Sequence, residues 1–272
     1  MPLKDKTIAI IGAGNMGEAL VRGLLVSKAI EPDQLIAADV RAHRLEQFSA
    51  QFGISVVDDN AAAVERADIV LLAVKPQQMA EVLRSVRPWM SREKLVISIA
   101  AGIPTARIEL ELGDTTRVVR VMPNTPAQIG EGAAALSKGR HATDDDLAAA
   151  TAILGAVGTT ASTDEIHLDA VTALSGTGPA YVFLIAEAMI KAGIEVGLSE
   201  ELARKLTLQT IIGAAKLLLQ SGEEPAELRR KVTSPNGTTE AAMKVMAEGR
   251  LVDVFVDAVK AAASRSRELS GS

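Results

Sequence analysis

Short, uniformly apolar runs alternate with helical patterns along the first part of the chain, and this alternation narrows the available folds more than any other feature. The runs are TIAII, QLIAAD, ISVV, DIVLLAV, KLVISIA and TRVVRVM. Runs of this kind are typical of parallel strands that are covered on both faces. The segments between them, such as NMGEALVRGLLVSK, place apolar residues at helical spacing. The sequence therefore predicts an α/β domain with a doubly wound sheet.

The strand signals stop near residue 162, and three long helical patterns follow. They are LDAVTALSGTGPAYVFLIAEAMIKAGIEVG, SEELARKLTLQTIIGAAKLLLQSG and GRLVDVFVDAVKAAASRSREL, with Ser199 as an expected N-cap of the second. We therefore expect a first domain over residues 1–161 and an all-α second domain over 162–272. The first of these helices is apolar nearly all round and needs partners on every side. A second copy of the chain is expected to supply some of them, which predicts a homodimer formed through this domain.

Composition excludes several classes of function. The 272 residues are 48% hydrophobic, which is typical of a globular protein, and the net charge of -5 argues against a nucleic-acid partner. The chain has no cysteine, so disulfides and thiolate nucleophiles are excluded, and its three histidines show no metal-ligand spacing. No segment of membrane-span length is free of charges or helix breakers, so we expect no membrane association and a cytoplasmic location.

The stretch TIAIIGAGNMGEAL carries Gly12, Gly14 and Gly17 directly after a predicted strand and at the start of a predicted helix. In a Rossmann-like fold the first glycine makes a tight turn and the second lets the backbone approach a pyrophosphate. The third allows the helix to pack closely on the strand. A dinucleotide cofactor is therefore predicted, and residues 1–161 are interpreted as its binding domain.

The end of the second strand bears on which nicotinamide cofactor is used. Asp39 follows the last glycine by about 20 residues, where an acid usually binds the ribose hydroxyls of NAD. This favours NADH, but Arg41 and Arg44 in DVRAHR are placed as residues that grip the 2′-phosphate of NADP would be. The sequence leaves NADH and NADPH both open.

Two later strands end in segments that suit the same edge of the sheet. In LLAVKP, Pro76 is expected to hold Lys75 in an extended conformation. In SIAAG, the small residues Ala100, Ala101 and Gly102 leave room for a nicotinamide ring.

A general acid for a ketone substrate is not evident. Tyr181 lies in an apolar helix and is interpreted as a packing residue, while Lys75 is the best acid by position. A substrate that arrives protonated, such as an iminium, would need no acid from the protein. Positioning and electrostatics would then carry the reaction.

With these features the chain resembles the pyrroline-5-carboxylate reductase family over essentially its whole length. IGAGNMG, AVKP, SIAAG, VMPNTP, DAVTALSGTGPAYVF and KVTSPNGTTEAAM stand in the order and spacing of that family, and the last two are the most specific. The resemblance implies reduction of a cyclic imine acid to L-proline by NAD(P)H. It also implies interlocked dimers whose active sites combine both subunits, and whether the dimers assemble into a larger ring is left open.

The resemblance carries roles onto particular positions. It implies that Glu165, Ser234, Gly237, Thr238 and Thr239 surround the substrate, with the Ser-Pro-Asn-Gly-Thr-Thr turn as the cradle of its carboxylate and Thr239 at its reacting end. For the cofactor it implies a lining made by Ile11, Gly12, Ala13, Gly14, Asn15, Met16, Asn60, Ala73, Val74, Lys75, Pro76, Ala100, Ala101 and Gly102. The glycine motif and the end of the second strand are expected to add Gly17, Asp39, Val40 and Arg41.

The chain departs from the family pattern at three places. Asn236 stands where the family usually has glycine, and asparagine tolerates the left-handed conformation that such a position can require. Thr177 replaces a serine. The pair Asp39 and Val40 replaces small polar residues after the second strand, which weakens the expectation of an NADPH preference.

Two other classes of function compete with this one. The first is a related imine or 3-hydroxyacid reductase. The hydroxyacid enzymes carry a catalytic lysine in the second domain, but Lys191, Lys205 and Lys216 lie in no recognisable motif for it. A non-catalytic dinucleotide-binding protein would have no reason to keep the carboxylate turn.

Overall fold

The structure of the chain, a computed structural model, describes residues 2–271. Strands and helices alternate through its first part, and helices alone make up the rest. The strands are β1 (Ile8–Ile11), β2 (Leu35–Ala38), β3 (Ser55–Val57), β4 (Ile69–Leu72), β5 (Leu95–Ser98), β6 (Arg117–Met122), β7 (Gly132–Lys138) and β8 (Gly158–Ser162). The helices are α1 (Asn15–Val26), α2 (Ala42–Phe52), α3 (Asn60–Glu65), α4 (Met79–Val86), α5 (Thr105–Leu112), α6 (Asp144–Gly155), α7 (Leu168–Val171), α8 (Gly178–Glu195), α9 (Glu200–Ser221), α10 (Pro225–Lys231), α11 (Thr238–Glu248) and α12 (Leu251–Ser270).

The strands described in residues 2–271 form one sheet in the order β3-β2-β1-β4-β5-β6-β7-β8. The first six strands run parallel, which confirms the doubly wound α/β fold. Alternate residues of β1 enter two separate cores: Ile8 and Ile10 pack on one face, Ala9 and Ile11 on the other. The uniformly apolar runs arise because helices cover both faces of the sheet.

The sequence patterns missed the last two strands. β7 pairs antiparallel with β6, and β8 pairs parallel with β7. Their sequences, GAAALSK and GTTAS, are rich in small and polar residues. Alanine and glycine have low strand propensity, so neither segment resembles a strand when taken alone.

The chain divides into two compact units, which we call the sheet unit and the helical unit. The sheet unit continues as far as Thr177 and also includes the chain from Ala262 onward, and the helical unit is Gly178–Ala261. The predicted domain boundary at 161/162 coincides with the end of β8, whereas the sheet unit extends beyond it. One reason is that Leu168 and Ala173 are fully buried in that unit.

The helical patterns are confirmed with two local differences. Ser199 caps α9, since its hydroxyl accepts a hydrogen bond from the Leu202 amide at 3.3 Å. The first long pattern is interrupted by a π-helical turn over Thr172–Gly176, between α7 and α8. Helix α11 begins at Thr238 with Gly237 as its N-cap, so a cap from Thr238 or Thr239, as a threonine at a helix start would suggest, does not form.

One segment is long and apolar enough to span a membrane by length and composition alone, although it contains charged residues and helix breakers as expected. This segment is Glu165–Glu195, and only 6% of an apolar 18-residue window within it is buried in the structure. Its helix breakers, Gly176, Gly178 and Pro179, do not change this result. An exposed apolar helix of this kind requires a cover, which another protein surface can supply as well as lipid.

Candidate active site

A cavity of about 770 Å³ lies in the sheet unit among the residues that follow β1, β2, β4, β5 and β6. This is the carboxyl edge of the sheet, where doubly wound folds bind their ligands. The predicted cofactor residues that line it are Gly12, Gly14, Asn15, Met16, Asp39, Val40, Arg41, Asn60, Ala73, Val74, Lys75, Pro76, Ala100 and Ala101.

The glycine loop has the geometry that a pyrophosphate requires. Gly12 has φ of +109°, and a Cβ there would lie 2.8 Å from the Ala73 carbonyl oxygen. A Cβ on Gly17 would meet the Gly12 carbonyl, so this glycine allows α1 to pack against the loop. A Cβ on Gly14 would have nothing within 4 Å, and Gly14 lines the cavity, so its backbone is open to a ligand at the start of α1. These residues fit a dinucleotide.

Asp39 is buried and joins the glycine loop to Arg41. Its carboxylate accepts hydrogen bonds from the Ala13 amide at 2.8 Å, from the Arg41 amide at 2.9 Å, and from Nε and Nη2 of Arg41 at 2.8 and 2.9 Å. Burial raises the pKa of the Asp39 carboxyl, but the hydrogen bonds from Arg41 and Ala13 outweigh it, so the pKa lies below its usual range. The aspartate is therefore charged and paired, and the Arg41 side chain is half exposed at the cavity.

Arg44 has a different role from the one its position indicates. Its Nε donates to the Ala13 carbonyl at 2.8 Å, and its Nη2 donates to Glu18 at 2.9 Å. The hydrogen bond from Arg44 is the largest cause of a lowered pKa at Glu18. Arg44 therefore supports the glycine loop. Of the two predicted arginines, only Arg41 lines the cavity.

Lys75 precedes Pro76 in the extended conformation that the proline predicts, with φ of -65° and ψ of 147°. Both residues line the cavity. Lys75 is solvent-exposed at the rim, so it is placed to approach a bound cofactor but lies outside any buried acid site.

Four of the predicted cofactor residues do not line the cavity. Ile11 and Ala13 are fully buried and support the loop from the protein side. Gly17 packs against Gly12, as described above. Gly102 has φ of +71°, and the nearest atoms to a Cβ there belong to Leu269 and Ser270 at the end of α12.

The prediction also missed one section of the wall. Most of these residues lie at the ends of β5 and β6 or in the π-helical turn, and the others lie at the end of β2 and around the start of α4. The β6 group could have been found because β6 is the next parallel strand along the same edge. The lining residues absent from the prediction are Ala38, Gln78, Val82, Ile99, Met122, Pro123, Asn124, Thr125 and Gly176.

Glu165 does not line this cavity. It borders a second hollow of about 520 Å³, and its carboxylate accepts hydrogen bonds from the Thr105 amide at 2.8 Å and the Thr105 hydroxyl at 2.6 Å. Arg120 forms an ion pair with it at 3.0 Å. Both carboxylate oxygens thus have partners within the sheet unit, and a substrate contact of Glu165 stays a prediction.

The other predicted substrate residues lie together in the helical unit, in the turn between α10 and α11. Asn236 has φ of +59°, so it adopts the left-handed conformation expected where the family has glycine. The Gly237 amide donates to the Ser234 carbonyl at 3.0 Å and is not free for a substrate. In the described residues no hydrogen bond involves the hydroxyl of Thr238 or Thr239, and the first amides of α11 lack partners within the helix.

The fold and the cavity define a dinucleotide-binding protein of the Rossmann class that carries a separate helical unit. A sequence model described as pyrroline-5-carboxylate reductase dimerisation matches residues 165–269. A second, described as NADP oxidoreductase coenzyme F420-dependent, matches residues 7–102.

Relatives of full length narrow the class to one family. The pyrroline-5-carboxylate reductase of Pseudomonas aeruginosa is 47% identical over 97% of this chain and 96% of the relative. That of Methanosarcina acetivorans is 43% identical over 98% of this chain and 99% of the relative. The chain therefore belongs to the pyrroline-5-carboxylate reductase family and is an oxidoreductase.

Solved structures agree with this placement. The pyrroline-5-carboxylate reductase of Coxiella burnetii superposes with a TM-score of 0.92 at 38% identity, covering 97% of this chain and 98% of that one. The pyrroline carboxylate reductase of Plasmodium falciparum, solved with NADP bound, superposes with a TM-score of 0.87 at 29% identity, covering 98% of this chain and 99% of that one.

Proposed function

We propose that the chain reduces 1-pyrroline-5-carboxylate to L-proline with NADPH or NADH, the last step of proline biosynthesis. The observation that carries the proposal is the pairing, in one chain of this family, of a dinucleotide cavity with a Ser-Pro-Asn-Gly-Thr-Thr turn at a helix start. When bound, the cofactor supplies a hydride. The residues of the chain bind and position the cofactor and the substrate.

The sheet unit holds the cofactor. The amides at the start of α1, behind Gly14, receive the pyrophosphate, because free N–H groups and the helix dipole favour anions there. Arg41 and Asp39 face the adenosine ribose, after β2. Ala100 and Ala101, after β5, leave room for the nicotinamide on the opposite side of β1.

The turn before α11 holds the substrate carboxylate. The Gly237 amide is engaged with Ser234, so the binding groups are the amides and hydroxyls of Thr238 and Thr239. In the protonated imine, the nitrogen takes up the electron pair of the double bond as the hydride adds to carbon. No general acid is needed for this step, and the role of Thr239 is to hold the reacting end in line.

A second copy of the chain completes the proposed enzyme. In the helical unit, only Ala203 and Thr207 are buried among the described residues, so this unit has almost no core of its own. Large apolar side chains such as Phe183 and Leu184 are exposed. A homodimer covers them, and the partner is expected to bring its carboxylate turn to the dinucleotide cavity. With that surface covered by protein instead of lipid, the proposed enzyme needs no membrane, and we place it in the cytoplasm.

The test compares wild type with Thr239→Ala in steady-state kinetics, using 1-pyrroline-5-carboxylate, unsubstituted cyclic imines and 3-hydroxy acids. We expect the wild type to prefer 1-pyrroline-5-carboxylate. Loss of one hydrogen bond to a charged group costs about 1.5–3 kcal/mol, which corresponds to a roughly tenfold to hundredfold lower kcat/KM in the variant with cofactor affinity almost unchanged.

Higher efficiency on a hydroxy acid or an unsubstituted imine would contradict the proposed substrate. A variant with a lower melting temperature but normal kinetics would instead show that Thr239 acts only in helix stability. Thr233→Ala is the control, because its hydroxyl donates to the Arg229 carbonyl at 2.7 Å at the end of α10 and lies outside the proposed binding groups.

A further inference from the structure

Asn124 lines the cavity, and none of the roles assigned above falls on it. Asn124 lies two residues beyond Met122, the last residue of β6. Its side chain makes two hydrogen bonds, one as a donor and one as an acceptor. Nδ2 donates to the Ser175 carbonyl at 3.1 Å, and Oδ1 accepts from the Ala133 amide at 2.9 Å. Only this orientation of the amide satisfies both partners, since a carbonyl needs a donor and an N–H needs an acceptor.

The Ser175 carbonyl needs this donor because of the local sequence. In a continuous α-helix it would accept from the amide four residues later, but residue 179 is proline and has no N–H. In the π-helical turn before it, the Thr177 amide donates to the Thr172 carbonyl at 2.8 Å. Asn124 therefore supplies a donor to a backbone carbonyl that loses its usual α-helical partner to Pro179.

The same hydrogen bond holds the π-helical turn against the wall of the cavity. Gly176 lines the cavity next to Ser175, and a Cβ on Gly176 would lie 2.5 Å from Cε of Met122. Met122 ends β6, which is separated from β1 by β4 and β5, on the side opposite to β2. This part of the wall is therefore far from Asp39 and adjoins the segment after β5 that is assigned to the nicotinamide.

We infer that Asn124 is a positioning residue, which fixes the distance between the π-helical turn and the end of β6 and so shapes the nicotinamide end of the cavity. The inference rests on the proposed function only in identifying this end of the cavity as the nicotinamide end. The side-chain amide of Asn124 acts through Ser175 and Gly176. It determines how the nicotinamide half of the dinucleotide fits the cavity and does not affect the adenosine half.

The experiment uses Asn124→Asp in the full chain. The aspartate has nearly the same shape and still accepts from the Ala133 amide, but its carboxylate cannot donate to the Ser175 carbonyl. Gln128→Ala is the matched control, because Gln128 is exposed in the 3₁₀ turn Thr125–Ile129 and does not line the cavity. Three quantities are measured: affinity for adenosine 2′,5′-bisphosphate, affinity for NADPH with kcat, and hydrogen exchange at the Thr177 amide.

We expect the affinity for the bisphosphate to stay within about twofold of wild type, since its contacts lie at the glycine loop and Arg41. NADPH should bind more weakly. The kcat should fall about tenfold to hundredfold, because small misplacements of reacting groups lower rates by about this much. The Thr177 amide should exchange faster. Equal losses for both ligands, unchanged exchange, or a normal kcat would each overturn the inference.

Gly176→Ala provides a second variant in case Asn124→Asp folds poorly. Its Cβ would push the flexible end of Met122 away without altering Asn124, and the same division is expected: unchanged bisphosphate affinity with weaker NADPH binding and lower kcat. Equal losses for both ligands in a folded Gly176→Ala variant would also overturn the inference. A wild type without reductase activity would contradict the proposed function, while ligand affinity and hydrogen exchange would still decide the role of Asn124.

Discussion

Among single residues, Asp39 shows how an acid at a common ribose-binding position can have a different set of partners. An acid after the second strand commonly binds the ribose hydroxyls. Here its oxygens accept from the Ala13 amide and from Arg41, so the aspartate orders the glycine loop and orients an arginine at the same time. In the proposed complex the two side chains nearly cancel in charge beside the adenosine ribose, so this pair excludes neither NADPH nor NADH.

This arrangement predicts opposite effects from its two partners. Arg41→Ala leaves the Asp39 charge unpaired, so the efficiency ratio of NADPH to NADH should fall about tenfold, equivalent to about 1.4 kcal/mol. Asp39→Ser should raise that ratio but lower both efficiencies, because the Ala13 amide loses its acceptor. Steady-state kcat/KM with each cofactor measures both, and Arg66→Ala, an exposed arginine outside the cavity, is the control. An unchanged ratio in both variants would show that the pair does not face the ribose.

Among the elements, α12 has two environments along its length. Its last residues belong to the sheet unit, where Ser266 is buried and donates to the Asp169 carboxylate at 2.5 Å. One turn further on, Leu269 and Ser270 approach the backbone of Gly102. The end of the chain therefore packs beside the segment after β5 that forms part of the cavity wall.

Ser266→Ala should lower the free energy of unfolding by about 1–3 kcal/mol, because a partly buried carboxylate loses its donor. The last turns of α12 should also become more susceptible to proteolysis. Denaturant unfolding and limited proteolysis measure the two effects. Ser264→Ala is the control on the same helix, since Ser264 is exposed. If the two variants were equally stable, the hydrogen bond to Asp169 would contribute nothing to the fold.

For the whole molecule, the exposed apolar surface of the helical unit is the dominant feature. Phe183 is 61% exposed and Leu219 is 84% exposed, although both belong to long, regular helices. Side chains of this kind in a unit with almost no core are typical of an interface that is buried on assembly.

Phe183→Glu should therefore dissociate the proposed dimer and abolish activity, because a charge cannot be buried in an apolar interface without a partner. Val26→Glu is the matched control: Val26 is 78% exposed on α1, in the sheet unit, and the same change there should leave the mass unaltered. Sedimentation or light scattering measures the mass. An even multiple larger than two would identify a ring of dimers, and a stable, active wild-type monomer would contradict the shared-site proposal.

Local patterns were sufficient to predict much of the fold and the position of the cofactor site. Hydrophobic periodicity predicts β1 to β6 because both faces of that sheet are buried, and the glycine spacing places the turn after β1. The pattern fails for β7 and β8, whose small and polar residues become strands only by pairing with β6 and with each other. It also fails at the π-helical turn, where Pro179 and Asn124 act together across a long sequence separation.

What the sequence by itself determined is therefore the parallel sheet, the dinucleotide loop and the turn before α11, since each depends on residues that are neighbours along the chain. The tertiary structure alone decided that Asp39 accepts a hydrogen bond from the Ala13 amide, that Arg44 supports the glycine loop, and that Gly176 forms cavity wall against Met122. These facts depend on contacts between distant segments. A charged or small residue can choose among several such partners, and only the packed fold brings one of them within hydrogen-bond or van der Waals distance.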